Sequence, residues 1–248
     1  MPDDATVDDA TDGDAADWAA QTEARLLDAA LPLVPELGWT WRLALRAGAA
    51  IGLSKPEVEL LLPQGPRDVV ALFSYRQDEA GVLALAGVDP QGLKMRERIA
   101  RGVEAHVDAA MENEAALRRW MGFLALPQNL ALGARLAWES ADRIWRWAGD
   151  TATDENHYSK RAILATLLSS TMAVRVSGSP AAAKTHLDLG IGAVMAFEKA
   201  KARLKARFGE GDLAGRAVRA LGAIRYRRGA STPGAAADRS EASPTSGP

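Results

Sequence analysis

Three histidines, His106, His157 and His186, and no cysteine are present among 248 residues. None of the three stands in His-x-x-x-His or Glu-x-x-His spacing, so the helical zinc and carboxylate di-iron patterns are absent. Without cysteine there is no disulfide framework, no thiolate metal site and no cysteine nucleophile. The chain also lacks Gly-x-Gly-x-x-Gly, the Walker pattern and Gly-x-Ser-x-Gly, which removes the common phosphate cradles and the serine-hydrolase elbow. The expectation is a protein that is not an enzyme, with no catalytic residue, no metal and no cofactor.

What chemistry remains is binding chemistry, and it is densest between Trp145 and Leu168. Trp145 and Trp147 lead into Gly149-Asp150, a polar elbow follows, and Asp154, Glu155, His157, Tyr158, Lys160 and Arg161 open the next helix. Thr153 suits an N-cap, and the two acids suit the positive end of the helix dipole. Asp154, His157, Tyr158 and Arg161 are candidate partner-binding residues. The same four side chains can equally be a solvated helix start.

A second binding feature lies near the C-terminus. Residues 199–228 hold ten bases against Glu210 and Asp212, whereas residues 1–17 hold seven aspartates and no base. After Gly209-Glu210-Gly211-Asp212, a helix is expected over 213–228. Leu213, Ala217, Ala220, Leu221 and Ile224 gather on one arc of about 100°. Arg216, Arg219, Arg225 and Arg227 lie outside that arc. A basic amphipathic helix on a glycine linker has the form of a membrane-surface anchor. Arg216, Arg219, Leu221, Ile224, Arg225 and Arg227 are its candidate contacts with an anionic membrane surface. A dimer arm and an RNA-binding helix are the other readings. No apolar run reaches the ~20 residues that span a bilayer, and the acidic N-terminus carries neither a secretory signal nor a transit pattern. The expected location is cytoplasmic, peripheral on the inner membrane.

The elements that must position these features read as all-α. Residues 1–16 are expected to be a disordered acidic tail and 231–248 a disordered low-complexity tail. Helices are expected over 17–31, 40–49 and 56–62, with Leu26, Leu27 and Ala30 inward on the first and Trp41, Leu45 and Gly48 on the second. Over 17–63 this gives the outline of a helix-turn-helix. Its second helix, however, presents Glu57 and Glu59, which a DNA backbone repels. Further helices are expected over 66–86, 92–111, 113–126, 129–148, from the elbow to Ser177, and 181–208, a helical domain spanning 64–208. Val69, Val70, Leu72, Phe73 and Leu83 are core candidates on the first of these. Leu132, Leu136, Trp138, Ile163, Leu164, Leu167 and Met172 supply an apolar excess on the two helices flanking the elbow. That excess is either an ordinary core or the lining of a long lipid pocket. The small residues of 181–208 permit close packing with another helix or subunit.

The run Gly149-Asp150-Thr151-Ala152-Thr153-Asp154-x-Asn156-x-Tyr158-Ser159-Lys160-Arg161-Ala162-x-Leu164-Ala165 closely resembles the signature of the coenzyme Q biosynthesis protein nine family. The likeness extends over most of residues 20–208. It implies a TetR-like fold that has lost DNA reading, with an apolar pocket for isoprenoid lipid or a quinone precursor in the C-terminal bundle. It further implies a last amphipathic helix, residues 209–230 with their linker, that touches the membrane. Finally, it implies that the elbow docks the di-iron demethoxyubiquinone hydroxylase, so that the protein is an accessory factor of ubiquinone biosynthesis. A homodimer and no specific DNA binding are expected. The alternative is a TetR-type, ligand-responsive transcription regulator. One departure stands out: where the family has Asn-Trp-Tyr, this chain has Asn156-His157-Tyr158. Docking through that position is therefore expected to be weaker or to meet a different partner surface.

Overall fold

Prolines and small polar residues cut this chain into helices before packing is considered. The computed structural model describes residues 8–150 and 155–208. Within them the regular elements are α1 (Asp8–Ala30), α2 (Val34–Leu37), α3 (Trp41–Ala50), α4 (Lys55–Leu61), α5 (Pro66–Ala84), α6 (Met95–Met111), α7 (Glu114–Leu124), α8 (Leu130–Trp147), α9 (Glu155–Ser177) and α10 (Pro180–Phe208). Three 3-10 turns, Leu31–Leu33, Pro90–Gly92 and Pro127–Asn129, link them. Each carries proline at its first or second position, a residue that opens a helix but cannot continue one. The fold is all-α, with a helix-turn-helix-like unit followed by a helical bundle in the TetR-like order. The expected helix over 213–228 and the tail over 231–248 lie outside the described residues.

Two units divide the chain, residues 1–193 and 194–248. The first holds both hydrophobic cores. Of the second, the described part is the continuation of α10 to Phe208.

The N-terminal unit is set by its caps. The Thr40 hydroxyl accepts from the Leu43 N–H at 3.2 Å and starts α3. Glu57 reaches back to accept from both the N–H and the hydroxyl of Ser54, at 2.7 and 2.6 Å, and so starts α4. The two helices meet where Gly48 faces Val58, at a spacing that would put a Cβ on Gly48 2.2 Å from Val58 Cγ2. Glu57 is thus occupied by the cap, and Glu59 faces Lys55 at 3.6 Å, the one base of α4.

The first core joins α1, α3, α4, α5 and α7 around Phe73, which is fully buried, and takes in Val34 of α2, Ala110 of α6, Leu136 of α8 and Val176 of α9. Trp39 and Trp120 flank it, with ring centroids 5.2 and 6.3 Å away. Each indole satisfies its N–H on a backbone carbonyl, Trp39 on Ala116 and Trp120 on Val70. The second core joins α6, α8, α9 and α10 through Val103, Ile144, Leu164, Leu168, Leu187 and their neighbours. Met172 packs against both cores.

Some expectations are corrected. α1 begins at Asp8, inside the stretch expected as a disordered tail: its alanines are the best helix formers and its aspartates sit at the favourable end of the dipole. Leu26, Leu27 and Ala30 are buried as expected, but on α3 the buried set is Leu43, Ala44, Ala47 and Gly48, with Trp41 and Leu45 only half-buried. Leu83 is no core residue; it is 76% exposed, because it lies about 200° around the helix from buried Gly81 and so faces away from the bundle. The short α2 was not foreseen: Pro35 sits in its first turn, where proline is tolerated.

Candidate docking site at the joint of α8 and α9

The joint begins with a helix stop. Gly149 has φ +87°, the left-handed region that favours glycine. Its N–H donates to the Arg146 carbonyl at 3.0 Å, and the Asp150 N–H donates to the Trp145 carbonyl at 3.0 Å. These two bonds form a Schellman cap on α8. Arg98 of α6 adds a third tie, donating to the Ala148 carbonyl at 2.8 Å.

Charged side chains then lock α9 against this cap. Lys160 donates to Asp150 at 2.8 Å and lies 5.4 Å from the centre of the Trp145 ring. The Trp145 indole N–H donates to the Lys160 carbonyl at 3.1 Å. Arg161 forks between Asp142, at 2.5 Å, and Asp150, at 3.3 Å, and also donates to the His157 carbonyl. Arg146 binds the other oxygen of Asp142 at 2.6 Å. Burial pushes both carboxyls up, but Arg161 and Arg146 outweigh it at Asp142, and Lys160 and Arg161 outweigh it at Asp150, so both end below the usual range.

Arg161 is therefore a correction. It was expected on the docking face, yet it is 2% exposed, because two acids and a carbonyl draw its guanidinium inward. What remains outward is aromatic. Tyr158 is 66% exposed and rests on two rings, Trp138 at 5.9 Å and His157 at 5.3 Å. Ile163 stands exposed one turn further along α9. The structure thus joins Trp138, assigned from sequence to a lipid pocket, to the surface that carries Tyr158 and His157, while Ile163, assigned to the same pocket, faces outward elsewhere on α9. Asp154 and its expected N-cap Thr153 lie outside the described residues, as do Arg216, Arg219, Leu221, Ile224, Arg225 and Arg227.

The rest of the apolar set is interior. Leu136, Leu164 and Leu167 are buried core residues, whereas Leu132 and Met172 are half-buried. Leu132 packs on the first core and Met172 on both.

Sequence reasoning missed a buried polar pair. Asp78 of α5 and His106 of α6 stand 3.8 Å apart, their side chains 4% and 2% exposed. The His106 Nδ1–H donates to the Gly102 carbonyl at 2.9 Å, which leaves Nε2 as a lone pair facing the carboxyl. Burial raises Asp78 to about 7, with Glu139 and Glu79 pushing the same way and Ser140 and Arg143 holding it back. Burial lowers His106 to about 4, with Arg143 adding to the effect and the Gly102 carbonyl opposing it. Between about pH 4 and 7 the pair is a neutral acid beside a neutral imidazole, not an ion pair. The signal was available: Asp78 continues the inward stripe of Val69, Val70, Phe73 and Ser74 at helical spacing. Among the described residues, no group of three or more His, Cys, Asp or Glu could hold a metal ion.

Residues 130–198 match the family model described as COQ9. Over that stretch the chain is similar to the COQ9 family. The curated relatives include the rat ubiquinone biosynthesis protein COQ9, mitochondrial, 27% identical over 166 residues, covering 64% of this chain and 53% of the relative. The human protein of the same name is 28% identical over 167 residues, covering 64% and 52%. The fission yeast protein is 28% identical over 150 residues, covering 59% and 58%. The chain spans about half the length of the curated relatives it matches. The COQ9 match starts where α8 starts and runs into α10, so the clamped joint and its aromatic shelf lie inside it. No helix among the described residues is long and apolar enough to cross a membrane.

Proposed function

We propose that this chain is a non-enzymatic accessory protein of ubiquinone biosynthesis that holds a polyprenylated quinone precursor and presents it to the membrane-bound hydroxylase that acts on it. The observation that carries the reading is the COQ9 match over α8–α10. It coincides with a rigid joint bearing an outward aromatic shelf, Tyr158 on Trp138 and His157. Large aromatic side chains held on a stiff support make good interface anchors, because little side-chain freedom is lost when a partner covers them. Tyr158 and His157 are the proposed docking residues. Arg161 holds the shelf in place from below.

The lipid site proposed here is the seam between the two cores, where Met172 touches both and Leu132 is half-buried. Methionine adapts its shape without strain, which suits a seam that must part for a chain-like ligand. The helix over 213–228 is proposed as the membrane contact. The regulator reading draws no support from α4, where Glu57 is taken by the cap and Lys55 by Glu59.

The test is mass spectrometry of lipids extracted from the purified full chain, together with pull-down of the hydroxylase. Co-purified isoprenoid quinone precursor, lost in Met172→Glu, supports the reading. Tyr158→Ala should weaken hydroxylase binding at least tenfold with unchanged helicity. Protein free of isoprenoid lipid that binds the hydroxylase no better than an unrelated helical protein would overturn it.

A further inference from the structure

An apolar groove at the end of α8, lined there by Arg143 and Trp147, has no role in the docking or lipid reading above. It lies between the last turn of α5, the segment leading to the 3-10 turn at Pro90, and the end of α8, a shallow depression open to solvent with a volume of about 740 Å³. Leu85 forms its floor, Trp147 one wall, and Val82, Leu83 and Val88 the other. Leu83 is 76% exposed and Val82 37%, so two large apolar side chains stand in water here with no partner to cover them.

The rim carries Arg76, Arg143 and Glu79. Arg76 is committed: it pairs with Asp28 at 2.5 Å and donates to the Ala24 carbonyl at 2.9 Å. Arg143 is not. Among the described residues its one ionic partner is Asp78, 3.6 Å away, and that carboxyl oxygen is itself without a hydrogen bond. Asp78 is also held largely protonated below neutrality by burial, which weakens its claim on the guanidinium. Arg143 therefore offers a two-pronged donor face to an anion at the mouth of an apolar groove. Glu79 on the same rim disfavours a doubly charged head such as a phosphate monoester.

We infer that this groove is a binding site for a singly charged, single-chain amphiphile, a fatty acid, with its carboxylate on Arg143 and its chain along Val82, Leu83, Leu85 and Trp147. The inference stands apart from the isoprenoid reading: the groove and the seam at Met172 use different side chains, and either can fail alone.

The full chain is titrated by calorimetry with laurate and, separately, with dodecyltrimethylammonium, which has the same tail length and the opposite charge, both below their micelle thresholds. One laurate per chain is expected, bound at least tenfold more tightly than the cation. Leu83→Glu should weaken laurate at least tenfold without moving the thermal midpoint, since the side chain is exposed. Arg143→Gln should abolish the preference for laurate over the cation. Bromine near the carboxyl end of the chain, as in 4-bromododecanoate, should quench tryptophan fluorescence, and Trp147→Phe should remove that quenching, since Arg143 and Trp147 are neighbours one turn apart on α8. No laurate binding, equal affinity for the two probes, or laurate binding that survives Leu83→Glu and falls in Met172→Glu would each overturn the groove assignment.

Discussion

Asp78 and His106 carry one proton between them, and folding changes which of them holds it. In the unfolded chain the proton sits on the imidazole between about pH 4 and 6.5, the ordinary values of the two groups. In the folded protein it sits on Asp78, raised to about 7, while His106 is lowered to about 4. The two states bind the same number of protons across that window, so the pair adds almost no pH dependence to stability. Single replacements should expose the two halves. In His106→Gln the carboxyl remains raised: the unfolded state sheds its proton near pH 4 while the folded state keeps it to about 7. Stability should then fall as pH climbs through that range, by up to about 1.4 kcal/mol per pH unit. In Asp78→Asn the depressed histidine remains, and the unfolded state takes up below pH 6.5 a proton that the folded state refuses. Stability should then fall as pH drops from 6.5 towards 4. Urea unfolding across pH 4–7 measures both slopes; two variants with flat or parallel profiles would sink the assignment. Asp78 was readable in principle, since it lies on the apolar stripe of α5. His106 as its partner was not, because only the crossing of α5 and α6 at Gly81, whose Cβ would sit 2.8 Å from the imidazole, brings them together.

The joint of α8 and α9 shows what a signature run is made of at the level of elements. Gly149 is there because the chain must turn through positive φ, and Asp150 because Lys160 and Arg161 need an acceptor one turn into α9. Among the described residues of the run, Asp150, Lys160 and Arg161 form a mechanical clamp and Tyr158 is exposed. Removing the hub tests this. Arg161→Met keeps the apolar stem but leaves Asp142 with Arg146 alone and Asp150 with Lys160 alone. The expected loss is ~3 kcal/mol, the lower end for breaking a buried ion pair. Lys160→Met, at a 37% exposed side chain, should cost about 1 kcal/mol or less. Both carboxyls sit below their usual range, so the clamp is fully present at neutral pH and is lost only as pH falls through their lowered folded values. Chemical denaturation of the two variants at pH 7 checks the ranking; equal losses would mean Arg161 is no hub. Helix limits were legible because prolines and caps are local signals. Leu83 and Arg161 were misjudged for the converse reason: whether an apolar or charged residue faces in depends on what lies opposite, and periodicity on one helix does not report its neighbour.

On the scale of the whole molecule, α6, α8 and α9 run through both cores, and Met172 of α9 packs against both. The sequence showed an apolar excess on the helices flanking the elbow and left open whether it was core or pocket. The structure buries Leu136, Leu164 and Leu167, leaves Leu132 and Met172 half-buried, and turns Ile163 outward, a sorting that one-dimensional spacing does not contain. The expected charge asymmetry bears on function at the same scale, since ten bases against two acids in residues 199–228 should draw the chain to an anionic surface. Sedimentation with phosphatidylglycerol vesicles should be strong at low salt and weaken with added salt, because exposed charges are screened beyond about 10 Å at 0.1 M ionic strength. Deleting residues 213–248 removes the bases from Arg216 onward together with the apolar arc, and vesicle binding should fall at least tenfold while the unfolding midpoint of the bundle stays put. Undiminished sedimentation after the deletion would move the membrane contact onto the described bundle. Loss of binding that salt does not reproduce in the full chain would assign the contact to the apolar arc rather than the arginines.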